Sequence, residues 1–280
     1  MRQVTVFEPP SFATVRPLAA LKRLGQFSHL ITALTVHRLK VRYARTHLGW
    51  AWAVLQPLSF MAVFTLMFTL LGRSPSGDVP YPLFAYAALV PWTAFSAAVA
   101  NAATSLTSHA SLLTKVAFPR EILPVTFVIV ALADVAVASL ILVGLCVWYG
   151  VSLGANILWA VPALMLMMMF LTGVALLLAA VQVRHRDVGV AVPIILQVWM
   201  FATPIIYPLE AAGTALSPAL MGLYALNPMV AVVDTFRRAT ILDAPPEPGA
   251  WVNGLICSLV LLPIAYVYFK HSEKTMADVV

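Results

Sequence analysis

Residues 41–58, VRYARTHLGWAWAVLQPL, carry a basic segment directly into an apolar one. Arg42 and Arg45 belong in water or among lipid head groups, Trp50 and Trp52 suit the membrane interface, and residues 53–71 belong in hydrocarbon. The stretch reads as a membrane entry point. It sets the side of the bilayer on which each later loop falls.

The composition agrees. Of 280 residues, 61% are hydrophobic and 10% charged, against about 25% charged in a soluble domain. Apolar runs of about 20 residues have the length needed to cross as helices. Backbone in lipid must satisfy its own hydrogen bonds within helices or closed barrels, and the alternating strands of a barrel are absent. The expected fold is an all-α polytopic membrane protein. The net charge of +6 does not point to nucleic acid, because the basic residues flank the spans. Cys146 and Cys257 lie inside apolar runs and read as small core residues. Residues 1–20, with Glu8, Pro9 and Pro10, lack the apolar core of a cleaved signal, so the first span is expected to act as the insertion signal.

Residues 1–23 read as a cytoplasmic tail. Over 24–47, Phe27, Leu30, Ile31 and Leu34 have helical spacing, and Arg38, Arg42 and Arg45 repeat at that spacing as a basic stripe from which Lys40 departs. An amphipathic interface helix held by anionic lipid and a plain positive flank both fit. Six spans are expected, at about 50–71, 82–105, 122–149, 157–183, 188–207 and 254–269, within a transmembrane domain at 50–269. The polar loop 106–121 and the tight loop Arg184-His185-Arg186-Asp187 fall on the side of the termini, and 270–280 reads as a second tail. Of the 17 Lys and Arg, only Arg73, Arg237 and Arg238 fall on the far side, and that bias puts both termini in the cytoplasm.

The segment 209–253 between the fifth and sixth spans is mixed, and its apolar part, 218–233, is too short to cross twice. Pro204 and Pro208 should break the preceding helix. Asn227-Pro228 has the form of a helix start, with Asn as N-cap and Pro at the first helical position, for a helix running through Asp234 and Arg237 to about Thr240. Two short helices dipping into the outer leaflet, as a re-entrant hairpin, would fit. So would an outer loop with one amphipathic helix.

No enzyme constellation is present in the sequence. It contains no Gly-Lys pair, hence no phosphate loop, and no histidine pair with metal-ligand spacing. Asp134 is the one carboxylate clearly inside a span, with no second acid or base to relay a proton, which favours a structural, hydrogen-bonded role. An intramembrane glycosyl or acyl transferase would need more acids or histidines. A secondary transporter would need paired broken helices. Aromatic residues recur: Phe60, Phe64 and Phe68 at four-residue spacing, then Tyr81, Phe84, Tyr86, Trp92 and Phe95, then Trp199, Phe201 and Tyr207. They can stack on the C–H faces of sugar rings along a channel, or simply pack against helices and lipid.

Five stretches carry a resemblance: HRLKVRYARTHLGWAWAVLQPL at 37–58, YPLFAYAALVPWTAFS at 81–96, LLTKVAFPREILPV at 112–125, VRHRDVGVAVPIILQVWMFATPIIYP at 183–208 and LYALNPMVAVVDTFR at 223–237. In this order the chain resembles the permease subunits of ABC exporters of O-antigen, teichoic acid and capsule polysaccharides. The resemblance implies a homodimer assembled with two ATP-binding subunits, which carry the ATP and magnesium. It further implies a bacterial inner-membrane location and a lipid-linked polysaccharide as cargo. It makes Lys115, Phe118, Pro119, Arg120 and Glu121, with Arg184, Arg186 and Asp187, the face that couples to the ATPase. Arg38, Arg42, Arg45 and Trp50 fall to the interface helix, and Phe60, Phe64, Phe68, Trp92, Trp199, Phe201 and Tyr207 to the channel. A drug or small-lipid exporter of the same superfamily is the nearest rival.

Overall fold

The computed structural model describes residues 25–41, 49, 51–72, 74–110 and 118–279. Arg42, Arg45, Trp50 and Lys115 lie outside the described residues. Those described form helices joined by turns: α1 Ser28–Leu39, α2 Ala51–Leu70, α3 Tyr81–Ala103, α4 Ile122–Trp148, α5 Ala160–Arg184, α6 Val188–Phe201, α7 Leu209–Ala215, α8 Pro218–Ala225, α9 Pro228–Arg237 and α10 Pro248–Val279. Five helices among the described residues, α2, α3, α4, α5 with its preceding turn, and α10, are long and apolar enough to cross a membrane.

α3 is the centre of the bundle, with α2, α4, α5, α6 and α9 packed around it. Its most apolar window is 83% buried, against 11% for α2. The reason lies in its alanines: positions 85, 87, 88, 94, 98, 102 and 103 are all buried alanines, and small residues let membrane helices approach closely where lipid supplies no hydrophobic drive. Tyr86 adds a polar clamp, donating to the Ala138 carbonyl of α4 at 3.1 Å. Asp134, on the same helix as Ala138, is buried and has an interaction partner.

Two elements differ from the sequence expectation. The fifth span, expected over 188–207, is a helix of 14 residues, Val188–Phe201, about 21 Å long and short of the roughly 30 Å hydrocarbon core. Pro204 has no N–H to extend the helix and disfavours helical geometry at Thr203, so the chain turns although it stays apolar. At the other end of the chain, α10 does not stop at Phe269. It continues as one helix to Val279, and Lys270, Ser272 and Met276 are buried, so the part of the expected tail up to Met276 is packed against the bundle.

Within the expected 24–47 helix, α1 spans Ser28–Leu39 and packs on α4, and residues 24 and 42–47 lie outside the described residues. Phe27, Leu30, Ile31 and Leu34 are partly buried along one face, as the spacing predicts. Arg38 continues that face instead of facing solvent: it is 8% exposed, with its guanidinium 3.5 Å above the Phe127 ring of α4. Burial pulls its pKa down to about 10, which leaves it charged at neutral pH. Gly49, in the junction to α2, has φ +50°, a left-handed conformation that glycine adopts without steric cost.

The turn before α5 is clasped to the chain that follows α9. After α9 the chain makes one π-helical turn, Arg238–Leu242, and Asp243 ends it in the left-handed region at φ +44°. The Asp243 carboxylate accepts from the Asn156 backbone N–H at 3.0 Å, and the Asn156 side chain donates to the Asp243 carbonyl at 2.8 Å. Gly154 lies against this carboxylate, and a methyl group there would overlap it. Gly154→Ala should displace Asp243 and cost about 1–3 kcal/mol, the range for polar groups left without partners. A thermal melt in detergent checks this, and an unchanged midpoint would mean that the clasp bears no load.

Candidate functional site

The end of the bundle that carries α7, α8 and α9 is built around the C-terminal end of α6. A helix end leaves carbonyls without intrahelical donors, and in a membrane these must be met from within the protein. Here α9 supplies them. The Asn227 side-chain amide donates to the Ala202 carbonyl and the Thr203 hydroxyl, both at 3.1 Å, and Arg237 donates to the Pro204 carbonyl at 2.8 Å. Asn227 also caps α9, its side-chain oxygen accepting from the Met229 N–H at 3.1 Å, with Pro228 at the first turn. The sequence anticipates this helix start. All ten residues of α9 are buried among α3, α5 and α10, so it is a core element in contact with the spans. α8 and the helix continuing α9 meet at a 74° bend.

Arg237 is 1% exposed. Its guanidinium reaches Asp234 Oδ1 at 3.3 Å and lies 4.1 Å over the Phe84 ring of α3. Arg238 Nε donates to the other Asp234 oxygen at 2.7 Å, and its second nitrogen pairs with Glu210 of α7. One buried carboxylate thus holds two arginines, and they join α7, α9 and the end of α6. Sequence reading named Asp234 and the arginines but gave them no role. The signal was available: acid and base at i, i+3 and i, i+4 in an apolar helix.

Beside this cluster is a cavity of about 560 Å³, walled by Trp199, Phe201 and Tyr207 on one side and Leu220, Leu223 and Tyr224 on the other. It brings together three of the seven residues expected to line a path. Tyr207 donates to the Phe201 carbonyl at 2.9 Å and receives Tyr224 at 3.5 Å. The other four are elsewhere. Phe60 and Phe64 stack 6.1 Å apart and Phe68 meets Tyr81 at 4.7 Å, on the side of α2 that packs against the main core. Trp92 is 2% exposed and lies in an aromatic cluster with Phe95 and Trp199.

Toward the other end of α10, Phe118 and Arg120 are half-buried, while Pro119 and Glu121 are buried. Glu121 is held by Lys270 of α10 at 2.6 Å, and Lys270 also reaches Glu273 at 2.8 Å. Arg120 donates to the Glu273 carbonyl at 2.8 Å. Arg184, Arg186 and Asp187 are exposed in the turn between α5 and α6. The structure therefore divides the expected coupling face into an exposed cluster and two residues engaged with α10. Lys270 and Glu273, unassigned from sequence, complete the cluster around Glu121. Glu121 and Lys270 are too far apart in the chain for spacing to reveal their pairing.

Comparison with known proteins bears on what such a bundle does. The model of the ABC-2 type transporter family matches residues 29–240. The O-antigen export system permease protein RfbA of Myxococcus xanthus is 29% identical over 259 residues, covering 92% of this chain and 98% of the relative. The protein of the same name in Klebsiella pneumoniae is 27% identical over 248 residues, covering 86% and 92%. The polysialic acid transport protein KpsM of Escherichia coli is 25% identical over 253 residues, covering 88% and 94%. With most of its length matched by one family model and its helices of spanning length, the chain is a multi-pass membrane protein belonging to the ABC-2 type transporter family.

Proposed function

We propose that the chain is the permease subunit of an ATP-driven exporter that moves a lipid-linked surface polysaccharide of the O-antigen kind across the bacterial inner membrane. The similarity to an O-antigen export permease along 98% of that relative carries the reading. Two copies of the chain assemble with two ATP-binding subunits, and those subunits hydrolyse the ATP, since the sequence here has no Gly-Lys pair and hence no phosphate loop. The unpartnered apolar faces of α2 and α6, where Val63, Leu66, Val190, Ile194 and Val198 are exposed, suit contact with lipid and with the second copy. Six crossings, with α6 and the turn after it as the fifth, keep both termini in the cytoplasm. The hairpin 209–253 is then re-entrant at the outer leaflet, and the aromatic cavity at the end of α6 borders the exit of the path.

In this arrangement the loop 106–121 and the exposed turn Arg184–Asp187 receive the ATPase, and displacement there opens the path between α2 and α6. Arg120→Ala and Glu121→Ala, assayed in the complex with the ATPase subunit, should lower export per ATP hydrolysed by about five- to 150-fold, the span of ordinary coupling free energies. Unchanged coupling in both variants at normal membrane abundance would remove this loop from the mechanism. Capsular polysaccharide is the second reading, supported by the KpsM likeness. Complementation of O-antigen-deficient and capsule-deficient permease mutants separates the two, and rescue of neither would turn attention to a small-lipid cargo.

A further inference from the structure

Resting on the reading of the chain as an ATPase-coupled permease, we infer that α10 is a connecting rod between the cytoplasmic coupling loop and the outer hairpin, with Lys270 as the positioning residue at its inner end. Two observations at opposite ends of the helix carry this. At the inner end, consecutive loop residues grip one turn of α10. Glu121, 2% exposed, receives the Lys270 ammonium at 2.6 Å, and Arg120 donates to the Glu273 carbonyl at 2.8 Å. Lys270 bridges on to Glu273 at 2.8 Å, which closes the grip. A second, smaller hydrophobic cluster underlies it, in which Phe269 and Met276 of α10 pack with Leu106 and Leu123, and Leu34 of α1 and Phe118 lie against it. The inner part of α10 is thus embedded among the elements nearest the expected ATPase. A paired charge that is buried holds its geometry more strictly than a surface pair, since separation would leave Glu121 desolvated and unpaired.

At the outer end, α10 touches the hairpin at close range. The position of a Cβ on Gly254 would lie 2.8 Å from the Ala231 methyl of α9 and 3.5 Å from Pro228, so the two backbones approach as closely as a glycine allows. From Gly254 to Lys270 is about 24 Å of continuous helix at the usual rise per residue. Pro263 interrupts its hydrogen-bond ladder between the two ends and gives it a place to bend. A shift of the coupling loop therefore reaches α9, and with it the Arg237–Asp234 cluster and the aromatic cavity, without passing through α2 or α6.

The test uses the full complex with its ATPase subunit in lipid nanodiscs. A single reporter cysteine replaces the exposed Gly213 of α7 in a Cys146→Ala, Cys257→Ala background. Its labelling rate with a charged methanethiosulfonate reagent is read with and without trapped nucleotide. The parent protein should show a nucleotide-dependent change of about fivefold or more. Lys270→Met should abolish that change while ATP hydrolysis stays within about twofold of the parent, and Lys270→Arg should restore it. A purely structural role for Lys270 would lower abundance and hydrolysis together, and would leave the response intact in whatever protein folds. If Lys270→Met does not accumulate, Lys270→Met combined with Glu121→Gln leaves no unpaired buried charge, and the same loss of response is expected. A normal nucleotide response in Lys270→Met or in its combination with Glu121→Gln, or none in a parent complex that hydrolyses ATP, overturns the connecting rod. Absence of ATP hydrolysis with any candidate ATPase subunit overturns the transporter reading beneath it.

Discussion

Asp234→Asn is expected to destabilise the folded chain by about 3–5 kcal/mol, the cost of removing one partner from a buried ion pair. The substitution changes almost no volume and keeps one oxygen. The loss is therefore of charge: Arg237, 1% exposed, has no other carboxylate within ion-pairing distance among the described residues, whereas Arg238 keeps Glu210. Arg238→Ala removes a partner whose side chain is 21% exposed and leaves Asp234 paired with Arg237, so it should cost far less, about 1 kcal/mol. The pairing is then tested by combination. Asp234→Leu with Arg237→Met takes both buried charges away and should recover much of the loss, leaving mainly the Pro204 carbonyl without its donor, about 1–3 kcal/mol. Midpoints of thermal unfolding in one detergent give these values, together with those of Asp234→Leu and Arg237→Met alone. Strict additivity of Asp234→Leu and Arg237→Met in the double variant would show that the pair does not act as a unit, and the account of the Asp234 cluster would fail.

Much of the fold was legible because membrane insertion is written in composition. Residues 41–58 mark where the first apolar run begins, and α2 starts at Ala51 within them. Asn227-Pro228 announced a helix through local chemistry alone, and the structure puts α9 at that position. The length of α6 was harder to read, since Ala202, Ile205 and Ile206 are as apolar in a turn as in a helix, and only Pro204 marked the change. The faces of the spans could not be read at all. A helix that is apolar all round carries no stripe to distinguish protein from lipid, so Phe64 and Trp92 looked as available to a path as Phe201. In the folded chain the first two are buried and Phe201 is 51% exposed. Arg38 misled for a related reason. A charge at an apolar-face position was read as part of a surface stripe, yet a guanidinium can lie flat on an aromatic ring, as it does on Phe127. The Glu121–Lys270 pair joins residues whose neighbours in sequence say nothing of one another.

The aromatic residues near the end of α6 consequently fall into two groups that one pair of substitutions separates. Phe95 is fully buried. It stacks on Phe170 of α5 at 5.6 Å with the rings 8° apart, and meets the edge of Trp199 at 5.5 Å. Phe95→Ala opens a void bounded by rings that cannot collapse into it and should cost about 3–5 kcal/mol, the range for a buried phenylalanine. Trp199 would lose one of the rings it packs against, and the cavity it walls at the end of α6 would lose its shape with it. Phe201 lies on that cavity and packs far less, so Phe201→Ala should change stability by no more than about 0.5 kcal/mol. If the cavity borders the exit for polysaccharide, the second variant lowers export at unchanged abundance, while the first lowers abundance itself. Equal melting points for the two proteins would mean that the ring cluster on α3 does not carry the packing assigned to it. Normal export from a stable Phe201→Ala protein would place the path away from this cavity.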